Sequence, residues 1–184
     1  MSSDISSAVV PGDRTDGHWV TTELVFRFTL AALAVAICYC FDWRLLRTLT
    51  LDLNLRLDSL FGVHLQRISS DTVMYNGALY RYVIACTMAD VWCAAIPLIW
   101  DIRSRIVQNL RVLGVFTVAL FAFNIIRLSF SDLLFASGLS WDLAHNVISG
   151  VAYFLIWIFV WKRTRQLIPP RTANPSLKAE LQQV

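Results

Sequence analysis

Long apolar runs with at most one charged residue each constrain this chain more than any other feature of its sequence. Four of them approach the length of about 20 mostly apolar residues that a helix needs to cross the hydrocarbon layer of a membrane. They are residues 24–41, 83–100, 112–126 and 143–161. Hydrophobic residues make up 57% of the 184, more than a typical soluble domain contains. Because lipid offers backbone groups no hydrogen-bond partner, the sequence predicts an all-α integral membrane protein, a bundle of about four transmembrane helices.

The positions of Lys and Arg predict how these helices are oriented. Residues 101–111 contain three arginines and residues 162–184 contain five basic residues, whereas residues 128–142 contain none. Basic connectors stay on the cytoplasmic side, so we expect residues 128–142 and 42–82 on the outer side. Five arginines within residues 42–82 oppose this placement of the first helix, because acidic residues hardly count in the rule.

Polar composition at both ends divides the chain into three regions. We expect residues 1–23 to form a disordered tail, residues 24–161 to form the membrane domain, and residues 162–184 to form a basic cytoplasmic tail. The N-terminal residues lack the apolar run and the small-residue cleavage site of a secretory signal. We therefore expect no removal of this segment.

Residues 42–82 are too many for a plain connector, which predicts structure within them. Leucines at positions 45, 49, 53 and 57, with Arg and Asp between them, predict an amphipathic helix on the outer leaflet. The turn-like "YNG" at residues 75–77 then predicts a short hairpin. The segment is therefore expected to form a small extracytoplasmic subdomain between helices 1 and 2.

Polar residues with chemical potential fall in one layer near the outer ends of the predicted helices. Cys86 lies near the outer end of the second helix, and Asn124 and Arg127 lie one turn apart at the outer end of the third. His145 opens the fourth helix from the same side. Asp90 is expected one turn below Cys86 on the same helix face. We therefore predict that three helices contribute to one interfacial site.

These residue types are those of a thiol acyl-transfer site. A cysteine attacks as the thiolate, an imidazole can take its proton and return one to the leaving amine, and a guanidinium can favour the thiolate or an oxyanion. Cys86, His145 and Arg127 supply the three groups. Asp142, one turn before His145, could orient the imidazole ring.

Three segments of the sequence resemble the Cys, Asn-x-x-Arg and His motifs of the exosortase/archaeosortase family of multi-pass membrane cysteine transpeptidases. They are "IACTMADVWCAAIPLIW", "FNIIR" and "LAHNVISGVAYF", within a region of similarity that covers residues 60–160. The resemblance implies that Cys86 is the nucleophile, Arg127 the catalytic arginine and His145 the catalytic histidine. It also implies protein substrates of a prokaryotic cell membrane that carry a C-terminal sorting signal, made of a short motif, one transmembrane helix and a basic tail. These are cleaved at the outer face, and the new C-terminus is passed to an amine acceptor.

The chain departs from the family pattern at three positions. Met88 follows Thr87 where family members usually have Gly, and Ser149 stands where Gly is common after the histidine. Asp90 falls where the family often has a basic or small residue. The changes at Met88 and Asp90 leave the substrate preference and the activation of the thiol open, and the three catalytic residue types are kept.

Other functional classes are compatible with parts of the pattern. A small membrane transporter or assembly subunit, in which Asp90 and Arg127 form a buried ion pair, is the alternative that the residues leave open. Such a protein would tolerate Cys86→Ser, whereas the transpeptidase would not. A thiol oxidoreductase is disfavoured because Cys38 and Cys40 do not form a C-x-x-C pair, and we expect Cys38, Cys40 and Cys93 to serve in packing.

Metal and cofactor chemistry is not indicated by the sequence. The three histidines, at positions 18, 64 and 145, are isolated and form no H-E-x-x-H pattern, and no phosphate-binding glycine loop is present. We therefore expect no cofactor and no metal. The expected partners are the lipid bilayer and membrane-anchored protein substrates, with no nucleic acid.

Overall fold

The computed structural model of the chain describes residues 15–75 and 77–167. Most of the predicted N-terminal tail, residues 1–14, and most of the basic tail, residues 168–184, lie outside the described residues. The described chain is mostly helical, and three of its helical segments are long and apolar enough to cross a membrane. They are Thr21–Cys38, Ile106–Ala136 and Asp142–Leu167. The prediction of a mainly helical membrane protein is confirmed at this level.

The long helices extend beyond the apolar runs that predict them. Helix α1 spans Thr15–Cys38, so the prediction of disorder is wrong for residues 15–23. Helix α4 spans Ile106–Ala136 and its 31 residues measure about 46 Å, against a hydrocarbon layer of about 30 Å. The reason is the same in both cases. Hydropathy marks where a helix leaves the apolar layer, whereas the backbone hydrogen bonds of the helix continue equally well in water.

The second predicted transmembrane helix, residues 83–100, is not one continuous helix. The chain forms a 3₁₀ turn at Ile84–Thr87, then a left-handed residue at Met88 with φ of 55°, and then helix α3 at Ala89–Ile99. A left-handed residue interrupts the helical hydrogen-bond pattern. The 11 residues of α3 span about 16 Å, roughly half of the hydrocarbon layer. The same break removes the predicted helical stacking of Cys86 above Asp90.

Helix α3 lies at the centre of an apolar core that includes residues of α1, α4 and the last helix, α5 at Ile148–Leu167. Small side chains on α3 allow neighbouring backbones to approach closely. The core includes Ala31, Ala94, Ala95, Leu98, Leu120, Ile156 and Val160. At its C-terminal end α3 is capped by the buried Arg27 of α1, which donates to the carbonyls of Pro97 (3.0 Å) and Trp100 (2.9 Å). These carbonyls have no partner within the helix, so the guanidinium satisfies them.

Residues 42–82 form helix α2 at Arg44–Leu60 and a three-stranded antiparallel sheet. The strands are β1 at Gln66–Arg67, β2 at Thr72–Tyr75 and β3 at Ala78–Arg81. The predicted helix and hairpin are therefore both present, with β2 and β3 paired around Gly77, whose φ of +82° suits a tight turn. Their location outside the membrane stays a prediction.

Helix α2 buries three polar side chains and one leucine against the rest of the chain. Thr50, Leu51, Asn54 and Asp58 are buried, whereas Leu45 and Leu49 are exposed. Apolar side chains that face outward are suited to lipid contact. The side of α2 that packs on α4 therefore needs polar partners, and these lie beside the candidate site.

Candidate active site

A cavity of about 290 Å³ opens between the sheet, the 3₁₀ turn, α4 and the segment before α5. We call it the Cys86 cavity. Its lining includes Cys86, His145, Asp132, Tyr80, Tyr82 and Trp141, together with apolar side chains. The predicted nucleophile and the predicted histidine therefore line the same cavity, although they are 59 positions apart (145 − 86) in the sequence.

The backbone around Cys86 is held by side chains from two other helices. Asn124 of α4, which is fully buried, donates from Nδ2 to the carbonyl of Cys86 at 2.8 Å. Tyr153 of α5 donates from its hydroxyl to the carbonyl of Ala85 at 3.1 Å. The Ala85 carbonyl also accepts a longer bond from the backbone N–H of Met88 at 3.4 Å. The two side-chain bonds add partners from α4 and α5, which fix the position of the 3₁₀ turn.

Arg127 is joined to the same group and is buried, with 4% of its surface exposed. Its Nη2 donates to Asn124 Oδ1 at 3.0 Å and its Nη1 donates to Ser149 Oγ. Its Nε–H is buried without a hydrogen-bond partner. Arg127 therefore does not extend to the membrane surface, as arginines at helix ends commonly do. It is a fixed positive charge with one unused donor, linked through Asn124 to Cys86.

His145 lies in a turn of π-helix at Asp142–Val147, which leads into α5. Its ring is parallel to the indole of Trp141, with an angle of 7° and ring centroids 4.6 Å apart. Its Nδ1 is buried and has no hydrogen-bond partner. Asp142, which we expected to orient the ring, is exposed and its Oδ1 accepts a bond from Asn146 Nδ2 at 3.0 Å. A π-helical turn widens the helix locally and is frequent at functional sites.

Asp90 lies apart from the Cys86 cavity. Its Oδ1 accepts a hydrogen bond from the backbone N–H of Val91 at 2.9 Å, and its carboxylate is close to the hydroxyl of Tyr39. No salt bridge joins Asp90 to Arg127 in the part of the chain that the structure describes. The buried ion pair expected for a transporter or assembly subunit is therefore not formed.

Sequence reasoning missed a buried polar group that borders the cavity. Asn54 of α2 donates from Nδ2 to Asp58 Oδ2 at 2.8 Å and to Asp132 Oδ2 at 2.7 Å, and Nδ2 lies 2.9 Å from the hydroxyl oxygen of Tyr82. Ser129 Oγ donates to Asn54 Oδ1 at 3.0 Å. We call these five residues the Asn54 cluster. Asp132 belongs both to this cluster and to the cavity lining.

Two carboxyl groups bound to one amide nitrogen repel each other when both are ionised, so the pair favours a shared proton. Burial raises the pKa of Asp58 from 3.8 to about 6, although hydrogen bonding with Ser129 and Asp132 acts in the opposite direction. The signal in the sequence was the spacing of Asn54 and Asp58, which puts both on the helix face opposite Leu45 and Leu49. Their partner Asp132 is 78 positions from Asn54, beyond the reach of local pattern reading.

Met88 joins the 3₁₀ turn of Cys86 to helix α3. Among the described residues it is the only non-glycine with a positive φ, and its side chain is fully buried. Glycine adopts a left-handed backbone at lower cost than methionine does, so burial of the Met88 side chain accompanies a strained backbone position.

Within the described ranges, no group of three or more His, Cys, Asp or Glu side chains could hold a metal ion.

Comparisons of the chain with models of protein families, with curated proteins and with solved structures found no match. The geometry of the Cys86 cavity is therefore the basis for a functional proposal.

Proposed function

We propose that the chain is a multi-pass membrane cysteine protease or transpeptidase of the exosortase/archaeosortase type. Its substrates are exported surface proteins with a C-terminal sorting signal, which it cleaves at the outer face of a prokaryotic cell membrane. The observation that carries the proposal is the shared lining of one cavity by Cys86 and His145, with Arg127 linked to the Cys86 backbone through Asn124. The three groups are complementary in chemistry and come from three separate parts of the chain.

In the first half of the reaction, His145 takes the proton of the Cys86 thiol and the thiolate attacks the carbonyl carbon of the scissile peptide bond. Arg127 is not among the residues that line the Cys86 cavity, so its guanidinium, held by Asn124 and Ser149, stabilises the developing negative charge through space. The C–N bond then breaks, the leaving amine takes the proton from the imidazolium, and a thioester on Cys86 remains.

In the second half, an amine or water attacks the thioester carbonyl and gives up a proton to His145. The C–S bond breaks, and the thiolate regains a proton from the imidazolium. The product is a new amide with an amine acceptor or a carboxylic acid with water. The enzyme needs no oxidant, because every step transfers only protons and an acyl group.

The membrane arrangement supports an outward-facing site. Three helical segments are long enough to cross, and we propose that residues 84–99 act as a fourth, interrupted one, whose 3₁₀ turn carries Cys86. Non-helical backbone at membrane depth is tolerated where it lines a cavity or is buried in protein. The turn at Ile84–Thr87 meets this condition, because its Cys86 lines the cavity. In this arrangement the segments 101–111 and 162–167, which are rich in Arg and Lys, lie on the cytoplasmic side.

The test is processing of a tagged candidate substrate, with a C-terminal sorting helix, in cells that express the wild type, Cys86→Ala or Cys93→Ala. Cys93 is a matched control because it is half-buried on the adjacent helix α3. We expect the wild type and Cys93→Ala to shorten the substrate and Cys86→Ala to lose processing by at least about 10³-fold, since the nucleophile is absent. Equal processing by Cys86→Ala would contradict the proposal and assign Cys86 to packing.

A further inference from the structure

The imidazole of His145 is not oriented by the usual means. A catalytic histidine is commonly held by a hydrogen bond from its second ring nitrogen to a carboxylate or a backbone carbonyl. In this chain Nδ1 of His145 is buried without a partner, and the nearby carboxylate of Asp142 is bonded to Asn146. Something else must hold the ring if His145 is to meet the Cys86 thiol.

The indole of Trp141 supplies a flat surface for this ring. The two rings are 7° from parallel at 4.6 Å, within the range of favourable stacking. Stacking on an indole face also stabilises a positive charge on the imidazole. The contact is therefore strongest in the state in which His145 has taken the thiol proton.

Trp141 is itself held by rings from the sheet and from α4. Tyr80 of β3 stacks on it with centroids 4.3 Å apart and an angle of 28°, and Phe135 of α4 meets it edge-on at 5.4 Å and 89°. Tyr75 of β2 and Tyr80 both contact Phe135, each with centroids 5.7 Å apart. Tyr80 and His145 therefore both stack on the indole of Trp141.

We infer that Trp141 is a positioning residue for His145 and that the hairpin of β2 and β3 fixes this position through Tyr80. The inference rests on the proposed function, since it concerns the base of that reaction. The stack links the sheet to the turn that carries His145, across 65 positions of sequence (145 − 80). It gives Tyr80 a role in catalysis through its contact with Trp141.

The experiment measures the rate at which iodoacetamide alkylates Cys86 as a function of pH, with mass spectrometry of the Cys86 peptide as readout. This assay needs no substrate. The variants are Trp141→Leu, which removes the stack, and Trp141→Phe, which keeps an aromatic face. His145→Ala gives the profile without an imidazole. Trp161→Leu is the matched control, because Trp161 contacts the ring of Phe28 and lies outside the Cys86 cavity.

We expect the wild type to show an imidazole-dependent step in its pH profile that His145→Ala lacks. Trp141→Leu should lose this step and react about tenfold more slowly at neutral pH, as expected when a stacking and cation–π contact is removed. Trp141→Phe should retain the step within about threefold, and Trp161→Leu should match the wild type. Misfolding alone would not remove the step in Trp141→Leu and leave it in Trp141→Phe.

Two outcomes would overturn the inference, and they can be told apart. If Trp141→Leu keeps the wild-type profile while His145→Ala changes it, the stack does not position His145, and the proposed function is unaffected. If His145→Ala itself matches the wild type, Cys86 and His145 do not interact, and the inference fails together with the proposed mechanism. The processing assay with Cys86→Ala then decides separately whether Cys86 is a nucleophile.

Discussion

The apolar core around α3 and the Asn54 cluster show two different ways of burying side chains in one small protein. The core consists of Ala, Leu, Ile, Val, Met and Phe side chains, whose contacts depend mainly on shape. The cluster consists of hydrogen bonds with fixed directions between α2, α4 and Tyr82. Lipid is as apolar as leucine, so apolar contact does not drive helices together within a membrane. The core therefore holds the bundle by fit, and the cluster determines how α2 sits beside the Cys86 cavity.

The largest effect is expected from Asn54→Leu, which removes the shared donor of Asp58 and Asp132 while keeping the branched shape of the side chain. Two buried carboxyl groups then lose the amide donor that they share. We expect the free energy of unfolding to fall by about 3–5 kcal/mol. Equilibrium unfolding in mixed micelles measures this. Replacing Asn54, Asp58 and Asp132 together by Leu should recover stability to within about 1–2 kcal/mol, because no acidic group is left buried. A stable single variant would show that the cluster does not hold α2.

The next effect is on the pH dependence of stability, through Asp58. Its pKa in the folded protein, about 6, lies above the unfolded value of 3.8, so the folded state binds more protons between these values. The contribution is fully present below about pH 4 and is lost as pH rises through about 6, by about 2–3 kcal/mol. Asp58→Asn should reduce this slope in an unfolding series between pH 4 and 7, and the part that remains belongs to Asp132, which shares the Asn54 donor. An unchanged slope in the variant would show that Asp58 does not contribute to it.

A smaller loss is expected from Leu98→Ala in the apolar core, where Leu98 is buried to 1% exposure. The same change in a water-soluble core costs about 2–5 kcal/mol. Part of that cost is transfer out of water, which lipid does not supply, so we expect about 2 kcal/mol from the lost contacts alone. Leu155→Ala, at an exposed position of α5, is the control and should change stability by less than about 0.5 kcal/mol. Equal losses of unfolding free energy in the two variants would mean that close packing of side chains does not stabilise the core.

The smallest effect is expected at Asp71, which pairs with Arg47 and Arg81 at the edge of the sheet. Partial burial acts to raise its pKa, but hydrogen bonds from Arg81, Ser69 and Thr72 leave it below the usual value. Its contribution is present above the unfolded pKa and is lost as pH falls through the folded one, opposite in sign to Asp58. Asp71→Asn should cost less than about 1 kcal/mol at pH 7 and nothing at pH 2. A larger loss of stability for Asp71→Asn at pH 2 than at pH 7 would contradict a lowered pKa for Asp71 in the folded protein.

Local patterns in the sequence were sufficient for the long helices and for the convergence on Cys86. Apolar length predicts a helix because it reports the cost of exposing side chains and backbone to the wrong solvent. Asn124 and Arg127 are one turn apart on α4, so their joint contact with the Cys86 segment follows from helix geometry.

Two features could not be read from these patterns. The break at Met88 is a backbone dihedral angle, and hydropathy does not report dihedral angles, so residues 83–100 were predicted as one helix. The Asn54 cluster joins α2 to residues of α4 that are 75 and 78 positions away. Periodicity identifies the face of a helix but not the distant residue that will meet it.

The long separation within the Asn54 cluster has a consequence for the order in which the protein is made. A ribosome adds about 5–20 residues per second, so Asn54 precedes Asp132 by about 4–16 s. During this interval the polar face of α2 has no partner on α4. Water must therefore solvate that face until α4 has been synthesised. Helix α2 then docks late during synthesis, once Asp132 is available to bond Asn54.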